Sequence, residues 1–469
     1  MNGKTNHGGN SSGLIRGLGL LAATAVVIGS MIGQAVFLVG SDMSRELGSA
    51  TKVLMVWIIA GVVVLFGACC YAELGAAMPE AGGEYVYLKR GLSPPWGFLF
   101  GWTSAMIIRP ATAAVVAAGL MRFVGFLWPP ANTPLLVWNL RFPFQSEAYQ
   151  FNFTTAQPLA AAAVLMATAL NYLGVRTVGR FQVFLTTLKV ATVTAILALG
   201  LMARSSTAAQ PAVIALPDQG LLVAFLTALV PAMTAYNGFQ FLGSVGGEVL
   251  NPEKNLPRAA IGGTAVVVAL YVMVNWVYFH VLSFHQVAKS QHVASDAVAL
   301  VVGDMGARWF TLALIVSAFG TLHATFLTGP RVPYAMARDG NFFSFAKRIQ
   351  PTFHTPSGAV VFQGCVAIAV VLTGTYQELY SYDMFAVWTF FALAAVALIR
   401  LRITSPELPR PFRVWSYPFT PVVFGTVALA IAVNLWLLRP VRSSIGIAII
   451  LLGLPFFYRW RKRTIAASL

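Results

Sequence analysis

Gly29-Ser30-Met31-Ile32-Gly33 sits in the middle of the first long apolar stretch, residues 16–47, and its reading decides the fold. A helix that only crossed a bilayer would have no use for two glycines bracketing a serine at mid-depth. Glycine costs a helix interior about 1 kcal/mol relative to alanine. Irregular backbone at that depth survives only where protein buries it or where it lines a cavity. The stretch therefore reads as a break that divides one crossing into two half-helices. N–H groups freed at the start of the second half would face the negative end of a ligand, assisted by the positive end of the helix dipole. The competing reading is a small-residue groove packed against a neighbouring helix, and this stretch alone leaves both open.

A second interruption favours the ligand reading. Tyr236-Asn237-Gly238 falls in the sixth apolar segment, five segments after the first break. Broken helices at corresponding places in two halves of a chain point to a binding site between inverted repeats. Five is an odd number of crossings, so the second half enters the membrane upside down relative to the first. Carbonyls released at the breaks would accept from an ammonium group, and the N–H groups after Gly29 would donate to a carboxylate. Together they suit the backbone of a free amino acid and leave its side chain to a separate pocket. The candidate substrate-binding residues are Gly29, Ser30, Met31, Ile32 and Gly33, with Thr234, Ala235, Tyr236, Asn237 and Gly238.

Composition sets the frame. The chain has 469 residues, 58% hydrophobic and 10% charged, with mean hydropathy +0.74. These values describe a polytopic membrane protein. A crossing needs about 20 apolar residues, and twelve such windows can be placed, giving an all-α fold of twelve transmembrane helices. After the first window come 52–78, 94–128, 158–172, 178–202, one starting near 218, 257–282, 308–338, 358–375, 380–403, 417–438 and 445–460. A proline-rich outer loop fills 129–157, and a short amphipathic helix is expected at 342–349.

The expected domains are a disordered tail at 1–15, a first five-helix repeat at 16–205, an inverted second repeat at 215–404 and two further helices at 415–463. The net charge of +16 suggests nucleic acid, but its placement argues against that. With the N-terminus inside, inner segments hold Lys89, Arg90, Arg176, Arg180, Lys254, Arg258, Arg331, Arg338, Arg400, Arg402, Arg410 and others, about twice as many basic residues as the outer ones. This asymmetry places both termini in the cytoplasm. Cys69, Cys70 and Cys365 fall in apolar windows and read as buried small hydrophobes, with no disulfide framework and no metal-ligand spacing.

Two cations lie too deep to reach water. Lys189 is about ten residues, or about 15 Å, into the fifth segment. Intramembrane ionisable residues are functional candidates. Such a lysine either gives up its proton or holds its charge against oriented carbonyls, where it could replace the sodium ion that braces broken helices in other transporters; the competing reading is a lysine in a wet inner vestibule. Arg109, followed by Pro110, lies mid-way along the third segment and needs acceptors, either carbonyls around a break or a substrate carboxylate; the Arg-Pro pair favours a fixed brace. His323 reads as a satisfied interior histidine. Glu73 and Glu248, near inner helix ends, could pair with inner arginines as gate contacts, with Arg331 and Arg338 as candidate partners, and otherwise read as ordinary salt-bridge residues. No Walker-type loop, His-Glu metal motif or paired catalytic carboxylates occur, so no enzyme, cofactor or metal is expected, and energy must come from a gradient or an exchanged solute.

These stretches resemble the amino acid–polyamine–organocation transporters, and within them the L-type amino acid transporter family. The similarity is carried by Gly29–Gly33, by Tyr71-Ala72-Glu73-Leu74-Gly75 with Pro79 and Gly82-Gly83-Glu84-Tyr85, and by Ile107-Ile108-Arg109-Pro110. It continues through Tyr236-Asn237-Gly238, Glu248 to Pro257, Ala335 to Gly340, and Pro409-Arg410-Pro411-Phe412. The resemblance implies a leucine-transporter-like five-plus-five inverted repeat and sodium-independent amino acid exchange. It puts Lys189 at the family's helix 5 lysine, which bridges the first break. Two departures stand out. Gln34-Ala35 replaces the family's usual Ser-Gly, and Thr234 replaces a common gating phenylalanine. The outer loop at 129–157 has no cysteine, so no disulfide-linked ancillary subunit is expected.

The expectation is a carrier in the plasma membrane of the cell, or its inner membrane in a bacterium, moving amino acids by alternating access. Its partners are a small-molecule substrate and the lipid bilayer, without nucleic acid. Neutral substrates are expected, because no site carboxylate is present to select a cationic side chain. The alternatives are a proton-coupled symporter of amino acids or polyamines and, from another class, a nutrient sensor with a transporter's shape.

Overall fold

The computed structural model describes residues 16–140, 149–173, 175–203, 220–290, 292–373, 376–438 and 440–466. The expected tail at 1–15 and the start of the sixth segment near 218 lie outside the described residues. Helices dominate. Among the described residues, eight are long and apolar enough to cross a membrane, and Val223–Ala235 and Ser357–Thr373 are shorter apolar helices.

The first crossing consists of α1 (Leu20–Met31) and α2 (Ala35–Leu47). Next come α3 (Ala50–Ala77), α4 (Glu84–Gly91), α5 (Pro94–Thr103) and α6 (Arg109–Leu127), with α5 and α6 joined by one π-helical turn at Ser104–Ile108. Then follow α7 (Ala156–Tyr172) and α8 (Val175–Met202). Where a sixth crossing is expected lie α9 (Leu221–Ala235) and the four-residue α10 (Phe241–Ser244). They are succeeded by α11 (Pro252–Val281), α12 (Phe284–Lys289), α13 (Val293–Thr328) and α14 (Arg331–Arg338). The chain closes with α15 (Ser357–Thr373), α16 (Tyr376–Thr404), α17 (Phe419–Leu438) and α18 (Pro440–Ala466).

Several expectations are corrected. The outer loop contains an antiparallel hairpin of β1 (Pro134–Leu140) and β2 (Tyr149–Thr154). Tyr149-Gln150-Phe151-Asn152-Phe153-Thr154 alternates aromatic and polar residues, which is the period of a strand. The expected amphipathic helix at 342–349 is only a 3-10 turn, Ser344–Lys347. α13 starts well before residue 308 and is kinked at Gly303, whose φ of +76° is open to glycine. Cys365 is exposed on the outside of the bundle, whereas Cys69 and Cys70 are buried.

The bundle packs as small residues in its apolar faces dictate. α3 lies against α11, α1 against α8 and α11, and α13 against α6 and α8. Gly61 on α3 has no space for a Cβ, since Val268 Cγ1 on α11 would sit 2.5 Å away. Such close approach of backbones is how membrane helices gain packing energy without a hydrophobic drive between them.

Candidate substrate site between the two breaks

The chain is interrupted at both expected places, but the first break is shifted. α1 runs through Gly29, Ser30 and Met31, and the non-helical residues are Ile32, Gly33 and Gln34. Gly29 serves another purpose. A Cβ there would lie 2.1 Å from Gln182 Nε2 and 2.5 Å from Thr186 Oγ1, so its smallness lets α1 press onto α8. The helical ladder ends when the Ile32 N–H donates to Ile28 O at 2.8 Å. The next N–H, of Gly33, turns to Met31 O at 2.8 Å, so Gly29 O receives no donor from its own helix.

Lys189 fills that gap. It is fully buried, and its Nζ donates to Gly29 O at 2.7 Å, Ile32 O at 2.8 Å and Thr321 Oγ1 at 2.5 Å. Thr321 Oγ1 also reaches Ile32 O at 2.8 Å, and Tyr271 Oη donates to Met31 O at 2.7 Å. A cation, a hydroxyl and a phenol thus take the carbonyls that the break releases. On the other side of the break, the N–H groups of Gln34, Ala35 and Val36 have no backbone acceptor among the described residues. They are the first donors of α2, where the helix dipole is positive.

The second break follows α9. Residues 236–240 form turns before α10 resumes. Gly238 has φ +134°, and a Cβ on it would lie 2.8 Å from the Ser30 carbonyl carbon and 2.9 Å from Met31 N. The two breaks therefore touch backbone to backbone. Asn237 Oδ1 accepts from Gln240 Nε2 at 2.6 Å, and Gly238 N–H donates to Gln240 Oε1 at 3.0 Å, so Gln240 fixes the unwound turn.

A cavity of about 80 Å³ lies against both breaks. Ser30, Met31, Gly33, Gln34 and Ala35 line it from the first, Thr234, Ala235 and Asn237 from the second, and Thr321 and Thr325 of α13 from the side. Gly29, Ile32, Tyr236 and Gly238 do not line it. Tyr236 points into packed protein instead: it stacks on Tyr271 with ring centroids 5.1 Å apart, meets Trp57 edge-on and donates to Trp57 O at 3.2 Å. Thr234 Oγ1 turns back to Val230 O at 2.8 Å.

The remaining charges brace the surroundings. Arg109, held at the π-turn, is 1% exposed and spans three elements. Its Nη2 donates to Ser244 Oγ at 3.2 Å, its Nη1 to Thr328 Oγ1 at 3.5 Å, and its guanidinium lies 3.7 Å from the Phe241 ring centroid. Just beyond, Glu84 of α4 is buried and accepts from Tyr71 Oη at 2.5 Å. Burial pushes its carboxyl up to about 7, against the lowering pull of the Tyr71 hydroxyl and the Arg109 charge. Glu248 pairs with Arg331 through two bonds of 2.7 and 3.1 Å, as expected. Glu73 does not pair with Arg331 or Arg338. It takes Arg402 at 2.9 and 2.5 Å, Arg410 at 3.5 Å and the Val414 N–H at 2.6 Å, because the end of α16 and the linker after it fold over α3. His323 is fully buried and bonds Gln182 Oε1 through Nδ1 at 2.8 Å, but its Nε2 has no hydrogen-bond partner among the described residues, so the expected satisfied histidine is only half satisfied.

Residues 18–457, nearly the whole chain, match the family described as amino acid permease. The chain belongs to the amino acid permease family of the amino acid–polyamine–organocation superfamily. Among its relatives, a serine/threonine exchanger of Bacillus subtilis is 29% identical over 96% of this chain and 98% of its own length. The human b(0,+)-type amino acid transporter 1 is 29% identical over 96% of this chain and 88% of its own. The human cystine/glutamate transporter is 30% identical over 95% and 85%. This permease is therefore a multi-pass membrane transporter and not an enzyme. Two residues that hold its first break, Tyr271 and Thr321, and one that packs under Gly29 of α1, Gln182, were not singled out from the sequence. Each is a polar side chain in an otherwise apolar span, the signal that did identify Lys189.

Proposed function

We propose that the permease exchanges amino acids across the cell membrane by alternating access, without sodium, with its substrate held between the breaks of the first and sixth crossings. The observation that carries this reading is the contact of Gly238 with Ser30 and Met31 beside a cavity lined from both breaks. The substrate carboxylate would take the N–H groups at the start of α2, and its ammonium the carbonyls near the end of α9. Lys189 would stand where other carriers of this shape place a metal cation, giving closure without sodium. Neutral amino acids fit best, since no carboxylate lines the cavity. On this reading the chain crosses twelve times as two inverted five-helix repeats with both termini in the cytoplasm, and works without a disulfide-linked subunit.

The test is uptake into proteoliposomes preloaded with unlabelled amino acid, against empty ones, in sodium and in choline buffer. Exchange predicts accumulation only in loaded vesicles and equally in both buffers. A second reading, proton-coupled symport, draws on Glu84, whose carboxyl titrates near neutral pH beside Arg109. It predicts uptake into empty vesicles driven by an imposed pH gradient. Ligand binding without flux in either arm would mark a sensor.

A further inference from the structure

The hairpin of β1 and β2 turns its two faces the wrong way round for water. Its register pairs Leu136 with Phe153, Trp138 with Phe151 and Leu140 with Tyr149. Residues paired across a ladder share a face, and so do alternate residues along a strand, so these six apolar and aromatic positions fall on one face. The intervening positions, Val137 opposite Asn152 and Asn139 opposite Gln150, make the other face mostly polar. It is the polar face that looks at the protein. Asn152 and Thr154 line a cavity of about 190 Å³ together with Met121 and Arg122 of α6 and Gln157 of α7. Gln157 ties this face down: its Oε1 accepts from the Thr154 N–H and from Thr154 Oγ1, both at 2.7 Å, and its Nε2 donates to Asn152 O at 3.0 Å. The apolar face is therefore turned outward, and Leu136 and Trp138 are 43% and 56% exposed.

A two-stranded ladder with one apolar face left bare is marginal in water, and exposed apolar surface of this kind marks a place that something covers. The position of the hairpin says what. It follows the end of Pro94–Leu127, a helical stretch long and apolar enough to cross a membrane. Its base is pinned to that end, since the Thr155 N–H donates to Thr133 O at 3.1 Å and Thr155 Oγ1 donates to Pro130 O at 2.7 Å. Phe126 and Trp128 are also exposed there, so bare aromatic surface occurs both on the helix end and on the hairpin attached to it. Aromatic residues, tryptophan above all, collect where a bilayer meets water. The depth is bounded as well. The outer edges of a two-stranded ladder carry N–H and C=O groups that no strand pairs, and open sheet edges do not occur in the hydrocarbon region. The boundary between headgroups and acyl chains meets both demands, giving lipid to the apolar face and water to the edges. We propose that the hairpin lies on the bilayer surface at the C-terminal end of α6, with the face of Leu136 and Trp138 seated at that boundary, and that it fixes the depth of this end of the helix.

The test uses the wild-type protein in phosphatidylcholine vesicles that contain a phospholipid with a diazirine near the glycerol end of one acyl chain. After irradiation, carbene adducts are mapped by tandem mass spectrometry. Leu159, exposed at the start of α7, is the internal reference for contact with lipid. Adducts on Leu136 and Trp138 should reach a yield within about threefold of that on Leu159, and exceed by about fivefold the yield on Val137, which lies between them on the other face. Val137 is itself exposed, so water around the whole strand would not produce this alternation. Adducts on Leu159 with none on Leu136 or Trp138 would overturn the proposal. A water-soluble diazirine then separates the reasons: labelling of the hairpin puts it in water, and protection marks a second copy or another protein over it. Equal yields on Leu136, Val137 and Trp138 would refute the seating of one face.

Discussion

Replacing Lys189 with methionine removes the ammonium and keeps the length of the stem. Gly29 O then has no donor, because the Gly33 N–H already bonds Met31 O. Ile32 O is left with Thr321 alone. A buried acceptor without a partner costs about 1–3 kcal/mol, and each charge-assisted bond lost contributes about 1.5–3 kcal/mol. Restoring a helical bond from Gly33 would relieve part of this, but only by closing the break. A net loss of about 3 kcal/mol from the broken conformation corresponds to a population change of roughly 150-fold. Apparent affinity falls by the same factor if only the broken form binds substrate. Exchange by Lys189→Met should therefore drop about a hundredfold in proteoliposomes, while the protein still inserts and elutes as a single species. Lys189→Arg should not rescue it, because the lysine stem already fills the space over Gly320, where a Cβ would lie 2.8 Å from Lys189 Cε. Uptake by a well-assembled Lys189→Met variant within threefold of wild type would refute the role assigned to this lysine.

Other outcomes follow from the same geometry. Gly238→Ala places a methyl 2.8 Å from the Ser30 carbonyl carbon at a φ that L residues rarely adopt, so it should abolish exchange, whereas Gly33→Ala, with its nearest neighbour at 3.7 Å, should keep a measurable fraction. Glu248→Gln leaves Arg331 buried without a counter-charge and should cost about 3–5 kcal/mol, read as a large fall in melting temperature in detergent. Glu84 keeps its proton up to about 7 in the fold against 4.5 for an unperturbed carboxyl, so the native state favours the neutral form. The stability this confers is complete below pH 4.5 and lost as pH rises through 7, about 3 kcal/mol at most. Melting curves of wild type and Glu84→Gln between pH 5 and pH 8 should diverge with that sign, the variant losing less as pH rises.

The breaks could be read in the sequence because glycine and polar residues at mid-depth have few structural excuses. Their register could not. Gly29 looks like a helix breaker, yet its helix continues past it, since what it provides is contact with Gln182 and Thr186 of α8, which no local pattern reveals. Lys189 was legible as a charge where water cannot reach, and Glu248 with Arg331 as an obligatory pair. The partner of Glu73 was not, because Arg402 and Arg410 are separated from it by most of the chain and only the fold of the linker after α16 selects them. Tyr236 shows the converse. A tyrosine beside a break invites a ligand role, but its ring completes an aromatic cluster with Trp57 and Tyr271. Direction of a side chain at an irregular turn depends on φ and ψ that the sequence does not state.

Leu18 pairs with Val249 in a short parallel bridge: the N–H groups of Gly17 and Leu18 donate to Glu248 O at 2.9 and 3.0 Å, and the Leu250 N–H donates to Leu18 O at 2.8 Å. The segment leading into α1 is thus zipped to the segment that follows α10 by main chain alone. Such a latch tolerates sequence drift at its own positions, since no side chain carries it. It also unfastens cheaply: once water replaces the partners, three such bonds are worth on the order of 2–4 kcal/mol in total. An amount that small can be met by the difference in substrate affinity between two states, so under the alternating access proposed above a seal built this way would open and reclose on every cycle.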